Sequence, residues 1–123
     1  MSKDFLFIDT KNMKWSKPFK GVSRKVLQGK NLTICFYNLK KGLTFPTHSH
    51  KNEQMAYIIK GKVEFSMGEN KEKHIFKKGM FFSFAPNVKH GTKFLEDSIV
   101  IDIFSPVMKD YEKEATKPEY VKQ

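Results

Sequence analysis

Cysteine and long apolar runs are scarce in this sequence, and each scarcity excludes some classes of protein. Cys35 is the single cysteine among 123 residues, so the chain can form no internal disulfide and no closed zinc site made of thiolates. No run of 18 apolar residues occurs, as a membrane-spanning helix would require. The first residues also lack the apolar segment of a signal peptide. We therefore expect a cytoplasmic protein without a membrane partner.

Arginine is equally scarce. The 23 basic residues include only Arg24 as an arginine, and the formal net charge is +10. A nucleic-acid-binding surface would be expected to use arginine for two-pronged contacts with bases and phosphates. The lysines are scattered and form neither a basic helix nor an RNA-binding signature. We expect no nucleic-acid partner, and the charge would instead attract a small anionic substrate.

Helical periodicity is also missing from the middle of the chain. Short β-rich runs such as Val22–Gln28 and Ser98–Phe104 recur about every 8 to 12 residues, with turn signals between them. This spacing predicts one all-β domain, a sandwich or barrel, over residues 22–111. Residues 1–21 are predicted to form an N-terminal arm with one short strand, and residues 112–123 a charged tail. The apolar run Met80–Phe84 predicts a strand buried on both faces.

Three of the four histidines are spaced so that they could share a metal ion. His48 and His50 are two residues apart and would project from the same face of a strand, and Gln54 can join them if the strand continues. His90 can reach them only through the fold. Imidazoles with one amide oxygen suit late first-row divalent metals. His74 has no suitably spaced partner, and we expect it to be an ordinary surface or core residue.

Two motifs in these regions resemble those of the cupin superfamily. Gly42, His48, His50 and Gly61 fit its first motif, with Gln54 where glutamate is more usual, and residues 79–90 fit its second motif. The resemblance extends from about Val22 to about Tyr111. It implies a double-stranded β-helix, which is a jelly-roll-like barrel. It also implies one divalent ion, with nickel, zinc, iron and manganese all compatible, bound by His48, His50, Gln54 and His90.

The last strand contains a candidate acid or base. Ile99, Ile101 and Ile103 share one face by parity, and Asp102 and Phe104 share the other. Both faces are too apolar for a plain surface strand, so parity alone leaves open which face lines the barrel. If Asp102 faces inward, its carboxyl lies near the metal and suits proton transfer.

A closer resemblance favours the inward orientation. Gly21-Val22-x-Arg24, Glu53-Gln54 and the run from Asp102 to Pro106 resemble a group of small cupins that linearise 4,5-unsaturated uronates. This resemblance implies a catalytic Asp102 and a substrate contact at Phe104. The group usually has an arginine two residues after the Ser-Pro pair, where this chain has Met108. Arg24 is our candidate to contact the substrate carboxylate in its place.

These observations predict a metal-dependent enzyme acting on a small sugar-acid substrate. Tyr57, Met80 and Phe82 are further candidates for the walls of its pocket. The alternatives are a dioxygenase that uses a redox metal and a non-catalytic cupin that binds metal or ligand. We also expect a homodimer, because apolar strands and exposed sheet edges need cover.

Overall fold

The computed structural model describes residues 7–117, which form two antiparallel sheets packed face to face. Two 3₁₀ helices, Thr10–Asn12 and Lys109–Glu114, flank the sheets near the two ends of the described chain. The strands, in chain order, are β1 Ser16–Phe19, β2 Val22–Gln28, β3 Thr33–Leu39, β4 Thr44–His48, β5 Glu53–Lys60, β6 Lys62–Met67, β7 Glu72–Lys77, β8 Phe81–Phe84, β9 His90–Phe94, β10 Ser98–Ser105 and β11 Ala115–Thr116.

The strand order shows that the chain passes repeatedly from one sheet to the other. The larger sheet has the order β1-β2-β3-β10-β5-β8, and β11 adds to β2 in parallel; the smaller sheet has the order β4-β9-β6-β7. Strands distant in sequence, such as β3 and β10, are therefore neighbours in space. This arrangement is a double-stranded β-helix, and the predicted all-β, jelly-roll-like barrel is confirmed.

Alternation of side chains along each strand builds the core. Burial in β2 and β3 follows a period of two, so every second residue enters the space between the sheets. Much of that space is filled by phenylalanine; Phe65 and Phe82, from opposite sheets, have ring centroids 4.1 Å apart. Burying such a ring stabilises the fold by roughly 1.5–3 kcal/mol relative to leaving it exposed.

Gly61 allows the chain to change sheets between β5 and β6. Its φ is +103°, and a Cβ built there would lie 2.1 Å from Oγ of Ser98 and 2.7 Å from the main-chain oxygen of Asp97. Any larger residue would combine an unfavourable φ with a backbone clash. The second glycine of the first motif is thus required by the close packing of the β5–β6 turn against the start of β10.

The structure corrects the prediction for the run Met80–Phe84. Only Phe82 and Phe84 are buried, whereas Phe81 is 54% exposed and Met80 is 40% exposed. The run is apolar on both faces, but a single copy of the chain covers only the inner face. The strand itself, β8, is present at the edge of the larger sheet.

Both ends of the described chain pack on the barrel. The expected short strand of the N-terminal arm is β1, which pairs with β2. At the other end, the second 3₁₀ helix and β11 pack along β2, so residues 112–117 of the predicted charged tail lie against the barrel. The remainder of the predicted tail, 118–123, and the first six residues of the arm lie outside the described residues. Within residues 7–117, no helix is long and apolar enough to cross a membrane.

Candidate metal centre and cavity

Three histidines converge at one end of the barrel. One nitrogen from each of His48, His50 and His90 lies within 4.8 Å of the others, so the three side chains could hold one metal ion. The ring centroids of His48 and His90 are 4.5 Å apart, and those of His50 and His90 are 5.0 Å apart. Within the described chain, His74 lies elsewhere, on β7, where it contacts Glu72.

Different elements supply these candidate ligands. His48 ends β4 and pairs directly with His90, which begins β9 of the same small sheet. His50 lies in the turn after β4, and Gln54 lies in β5 of the large sheet. The single continuous strand that would present His48, His50 and Gln54 on one face is therefore absent. The turn nevertheless brings all three side chains to the same cavity.

Main-chain carbonyls orient all three imidazoles in the same way. Nδ1 of His48, His50 and His90 lies 3.1, 2.9 and 2.9 Å from the oxygens of Pro46, Asn52 and Val88. An Nδ1–H donated to a carbonyl leaves the Nε2 lone pair free to bind a metal. Burial, together with the two other imidazoles, lowers the pKa of His90 to about 4, so this ring is neutral near pH 7. Phe84 stacks on it, with ring centroids 4.2 Å apart.

Gln54 completes a donor set that fits a divalent cation. Its Oε1 lies 3.0 Å from Nε2 of His50, and the residue is buried. With Nδ1 of His50 donating to a carbonyl, two acceptor atoms face each other at this distance, which a shared cation would stabilise. Two ligands at right angles on an ion about 2.1 Å away are about 3 Å apart, in agreement with this spacing. The residues present thus fit a metal with nitrogen and oxygen ligands.

The carboxyl of Asp102 lies next to this donor set and faces the cavity. Nε2 of Gln54 donates a hydrogen bond to Oδ2 of Asp102 at 3.3 Å. Enclosure by the barrel raises the pKa of Asp102 to about 7, because the charged form loses its hydration. Ile99, Ile101 and Ile103 occupy the outer face of β10. The ambiguity left by the parity of the strand is therefore resolved with Asp102 inward.

A cavity of about 400 Å³ extends from the histidines into the barrel. Phe104 and Phe82 are part of its wall, as predicted by position. Tyr57 and Met80 are not part of the wall, and they are 46% and 40% exposed. The prediction was wrong for Tyr57 because side chains alternate along β5 and Tyr57 has the opposite parity to Gln54. Met80 lies in the turn before β8, outside the cavity wall. A separate groove of about 580 Å³, lined by Lys17, Lys40 and Lys60 among others, contains none of the histidines.

Arg24 lines the cavity, but its guanidinium is already paired. Nε and Nη2 donate to the carboxylate of Glu114 at 2.5 and 2.7 Å, and Nη1 donates to the hydroxyl of Tyr37 at 3.1 Å. The ring of Tyr111 lies against the guanidinium, 4.2 Å from its central carbon to the ring centroid. A substrate carboxylate would therefore have to compete with Glu114 for Arg24, the residue predicted to contact it.

Sequence reasoning missed the part played by the segment after β10. Met108, Asp110 and Tyr111 line the cavity, and Glu114 pairs with Arg24. It also missed Asn52, a buried residue whose side-chain amide donates to the carbonyls of Pro106 and Val107 at 2.5 and 3.3 Å. Only the fold reveals these contacts, because they join residues 54 to 90 positions apart. In sequence, the segment that contains Tyr111 and Glu114 looks like an ordinary charged tail.

The fold and the site define a small β-barrel with a candidate metal centre at the mouth of its cavity. The chain belongs to the cupin family, because residues 35–104 match the Cupin domain. Comparison with curated protein sequences found no match. Among solved structures, KdgF from Halomonas sp. is similar, with 27% identity, a TM-score of 0.76 and coverage of 89% of this chain and 98% of that chain.

Two further structures share the fold. An RmlC-like cupin from Shewanella frigidimarina has 24% identity and a TM-score of 0.77, with coverage of 89% of this chain and 96% of that one. A mutant of oxalate decarboxylase from Bacillus subtilis has 20% identity and a TM-score of 0.71, with coverage of 86% of this chain and 30% of that one. At these identities the likeness establishes the cupin fold alone.

Proposed function

We propose that this protein is a metal-dependent cupin enzyme that opens a small 4,5-unsaturated uronate to its linear 5-keto-4-deoxy form. The observation that supports it most is the hydrogen bond from Gln54 to Asp102, which joins a four-residue donor set to an enclosed carboxyl. The similarity to KdgF over nearly the full length of both chains also supports it, in agreement with the motif resemblance.

His48, His50, Gln54 and His90 would hold the metal in this proposal. Three neutral imidazoles and an amide oxygen suit nickel, zinc, iron or manganese in the divalent state. Such an ion, when bound, supplies positive charge that polarises a substrate oxygen.

Asp102 would move the proton that the reaction requires. Linearisation breaks the bond between C1 and the ring oxygen, forms a C1 aldehyde, and transfers one proton from the C1 hydroxyl to C4. A carboxyl with a pKa of about 7 exists in both protonation states near neutral pH, so it can accept a proton and return it. Gln54 holds this carboxyl in place through its amide group.

The aromatic wall of the cavity would orient the sugar ring and limit its contact with water. Phe104 lies on the same face of β10 as Asp102, and its ring is 5.8 Å from that of His50 by centroid distance. Tyr111 packs edge-on against Phe104 at 6.0 Å. We expect these rings to contact an apolar face of the substrate.

We further propose that the protein forms a homodimer through the outer face of the larger sheet. Tyr57 pairs with Phe81 on one side and with Ile101 on the other. Met55, Ile59 and Ile99 surround them on the same surface, and each is more than a third exposed in the single chain. A contiguous apolar surface of this kind favours burial against a second copy.

An NMR assay tests the proposed reaction. Protein loaded separately with each of the four metals is mixed with freshly prepared 4,5-unsaturated monouronate, and the vinyl proton signal is followed against a control without enzyme. We expect accelerated loss of the signal, abolished in Asp102→Asn and in His50→Ala. Asp97→Asn, which alters an exposed turn, is the matched control.

The opposite outcome would favour the dioxygenase alternative or the binding alternative. If no metal-loaded form accelerates the reaction, uronate linearisation is refuted. Oxygen uptake with a small organic acid would then indicate oxygenase activity, which the neutral, histidine-rich donor set permits with iron. Tight binding of ligand without product would indicate a sensor.

A further inference from the structure

The cavity wall contains one side chain with a permanent positive charge among the residues described. That residue is Arg24, which is only 7% exposed. No lysine lines this cavity, whereas the carboxyl groups of Asp102 and Asp110 do. An anionic ligand would therefore find Arg24 as its only guanidinium or ammonium partner in the wall.

Glu114 neutralises this charge through a two-pronged contact. Both of its oxygens accept from the guanidinium, at 2.5 and 2.7 Å, and its Oε1 also accepts from the hydroxyl of Ser16 at 2.6 Å. The pair is largely shielded from water, with Arg24 and Glu114 side chains 9% and 23% exposed. Two-pronged pairs of this kind are among the strongest charged contacts in proteins.

The remaining contacts of Arg24 hold it in this paired state. Tyr37 accepts from Nη1, and the ring of Tyr111 covers one face of the guanidinium. β11 and the preceding 3₁₀ helix hold Glu114 against β2, the strand that contains Arg24. A ligand carboxylate that took the two N–H groups held by Glu114 would displace Glu114, which would keep only the hydroxyl of Ser16 as a partner.

We propose that Glu114 is a specificity-determining residue that withholds Arg24 from anionic ligands, so that a ligand carboxylate is held at the metal centre instead. This inference rests on the proposed function in that the substrate is an anion. It assigns the segment after β10 a role in selecting ligands, and it predicts that anion binding depends on metal in the natural chain. Removing the charge of Glu114 creates a second, metal-independent anion site.

Calorimetric titration with D-galacturonate, a saturated monouronate, tests the inference at low ionic strength. Metal-free and zinc-loaded forms are compared for the natural chain, Glu114→Gln, Arg24→Gln and the double variant. Glu112→Gln is the matched control, because Glu112 lies on the same 3₁₀ helix but is exposed and pairs with Lys117. Circular dichroism establishes that each variant is folded.

We expect the metal-free natural chain and Glu112→Gln not to bind the probe. Metal-free Glu114→Gln should bind it at least tenfold more tightly than the natural chain, and the double variant should lose this gain. The inference is overturned if the metal-free natural chain binds D-galacturonate and Arg24→Gln abolishes that binding. It is also overturned if folded Glu114→Gln gains no affinity.

If Glu114→Gln does not fold, the double variant still tests the role of Glu114, because the double variant has no unpaired charge at this position. In the zinc-loaded state it should bind the probe within twofold of the natural chain. If the zinc-loaded double variant bound the probe tenfold more weakly than the natural chain, Arg24 would already hold the anion in the natural chain, contrary to the inference. If the zinc-loaded natural chain fails to bind the probe, the proposed anionic substrate is in doubt, yet the metal-free comparison still decides the role of Glu114.

Discussion

Gln54 donates a hydrogen bond to Oδ2 of Asp102 across 3.3 Å, while its own oxygen lies 3.0 Å from Nε2 of His50. One amide thus connects a candidate metal ligand with the candidate proton carrier. Glutamate, the residue more usual at this position in the motif, could not donate this hydrogen bond when ionised. The neutral amide therefore allows Asp102 to be ionised beside it without like-charge repulsion.

We predict that Gln54→Glu shifts the pH dependence of activity. A second carboxylate beside Asp102 disfavours its ionised form, so its pKa rises, by about one unit. The lower apparent pKa in the profile of kcat/KM against pH should move upward accordingly. Glu53→Gln, at the exposed neighbouring position, should leave the profile in place. An unchanged profile for Gln54→Glu would show that Asp102 is not the titrating base.

We predict that Asp102→Asn stabilises the metal-free protein while abolishing activity. The pKa of Asp102 is about 7 in the folded chain and near 3.8 when unfolded, so ionisation weakens folding as pH rises from about 4 to 7. Asparagine removes this penalty, and the melting temperature should rise by several degrees at pH 8 but not at pH 4.

The comparison between the two proteins isolates this carboxyl. His90, with a lowered pKa, acts in the opposite sense, since stability rises with pH between about 4 and 6.5. That contribution is common to both proteins and cancels in the difference. A melting temperature for Asp102→Asn equal to that of the natural chain at pH 8 would contradict an enclosed carboxyl. Bound metal should reduce the difference, because a cation favours the ionised form.

We predict that Asn52→Ala weakens metal binding by about 10- to 100-fold. The carbonyl of Asn52 orients His50, and its side chain ties that turn to the carbonyls of Pro106 and Val107. Loss of these hydrogen bonds should leave the ring of His50 less well oriented. Competition between protein and a chelator for zinc measures the affinity, and the visible spectrum of the cobalt form reports the coordination. Asn31→Ala, in an exposed turn, serves as control, and equal affinities in the two variants would refute this role.

We predict that Glu114→Ala destabilises the protein near neutral pH by about 3 kcal/mol, because it leaves the buried charge of Arg24 unpaired. The hydrogen bonds from Arg24 lower the pKa of Glu114 below 4.5. Its contribution to stability is therefore present above about pH 4.5 and is lost as pH falls through the lowered pKa. Urea unfolding at pH 7 and pH 3 should show a smaller difference in the free energy of unfolding between variant and natural chain at pH 3 than at pH 7. Glu112→Ala removes an exposed ion pair, and it should change the free energy of unfolding little at either pH.

We predict that Tyr57→Lys yields a monomer that retains the metal site. Tyr57 lies at the centre of the outer apolar surface, and a charge there would be buried between two copies. Light scattering coupled to size exclusion should give twice the chain mass for the natural protein and the chain mass for the variant. Ile75→Lys, exposed on the smaller sheet, should remain dimeric. A monomeric natural chain would refute the proposed dimer.

The class of fold and the residues that could bind metal could be predicted from local patterns in the chain. Turn signals and strands of period two are local properties, and they suffice for an all-β barrel. The motif spacing also identified His48, His50, Gln54 and His90, although it invoked a continuous strand where the structure has a turn. These residues converge because the motif includes the turn residues around them as well as the candidate ligands.

Which face of each apolar strand lies inside could be seen only once the strands were packed together. β10 has apolar residues on both faces, so the inward position of Asp102 depends on its register with β3 and β5. The same uncertainty placed Tyr57 wrongly in the cavity, when its parity puts it outside. The pairing of Arg24 with Glu114 joins residues 90 positions apart, and no local pattern records it. Side-chain periodicity fixes the relative orientation of residues within a strand, but only packing between strands fixes the direction in which each face points.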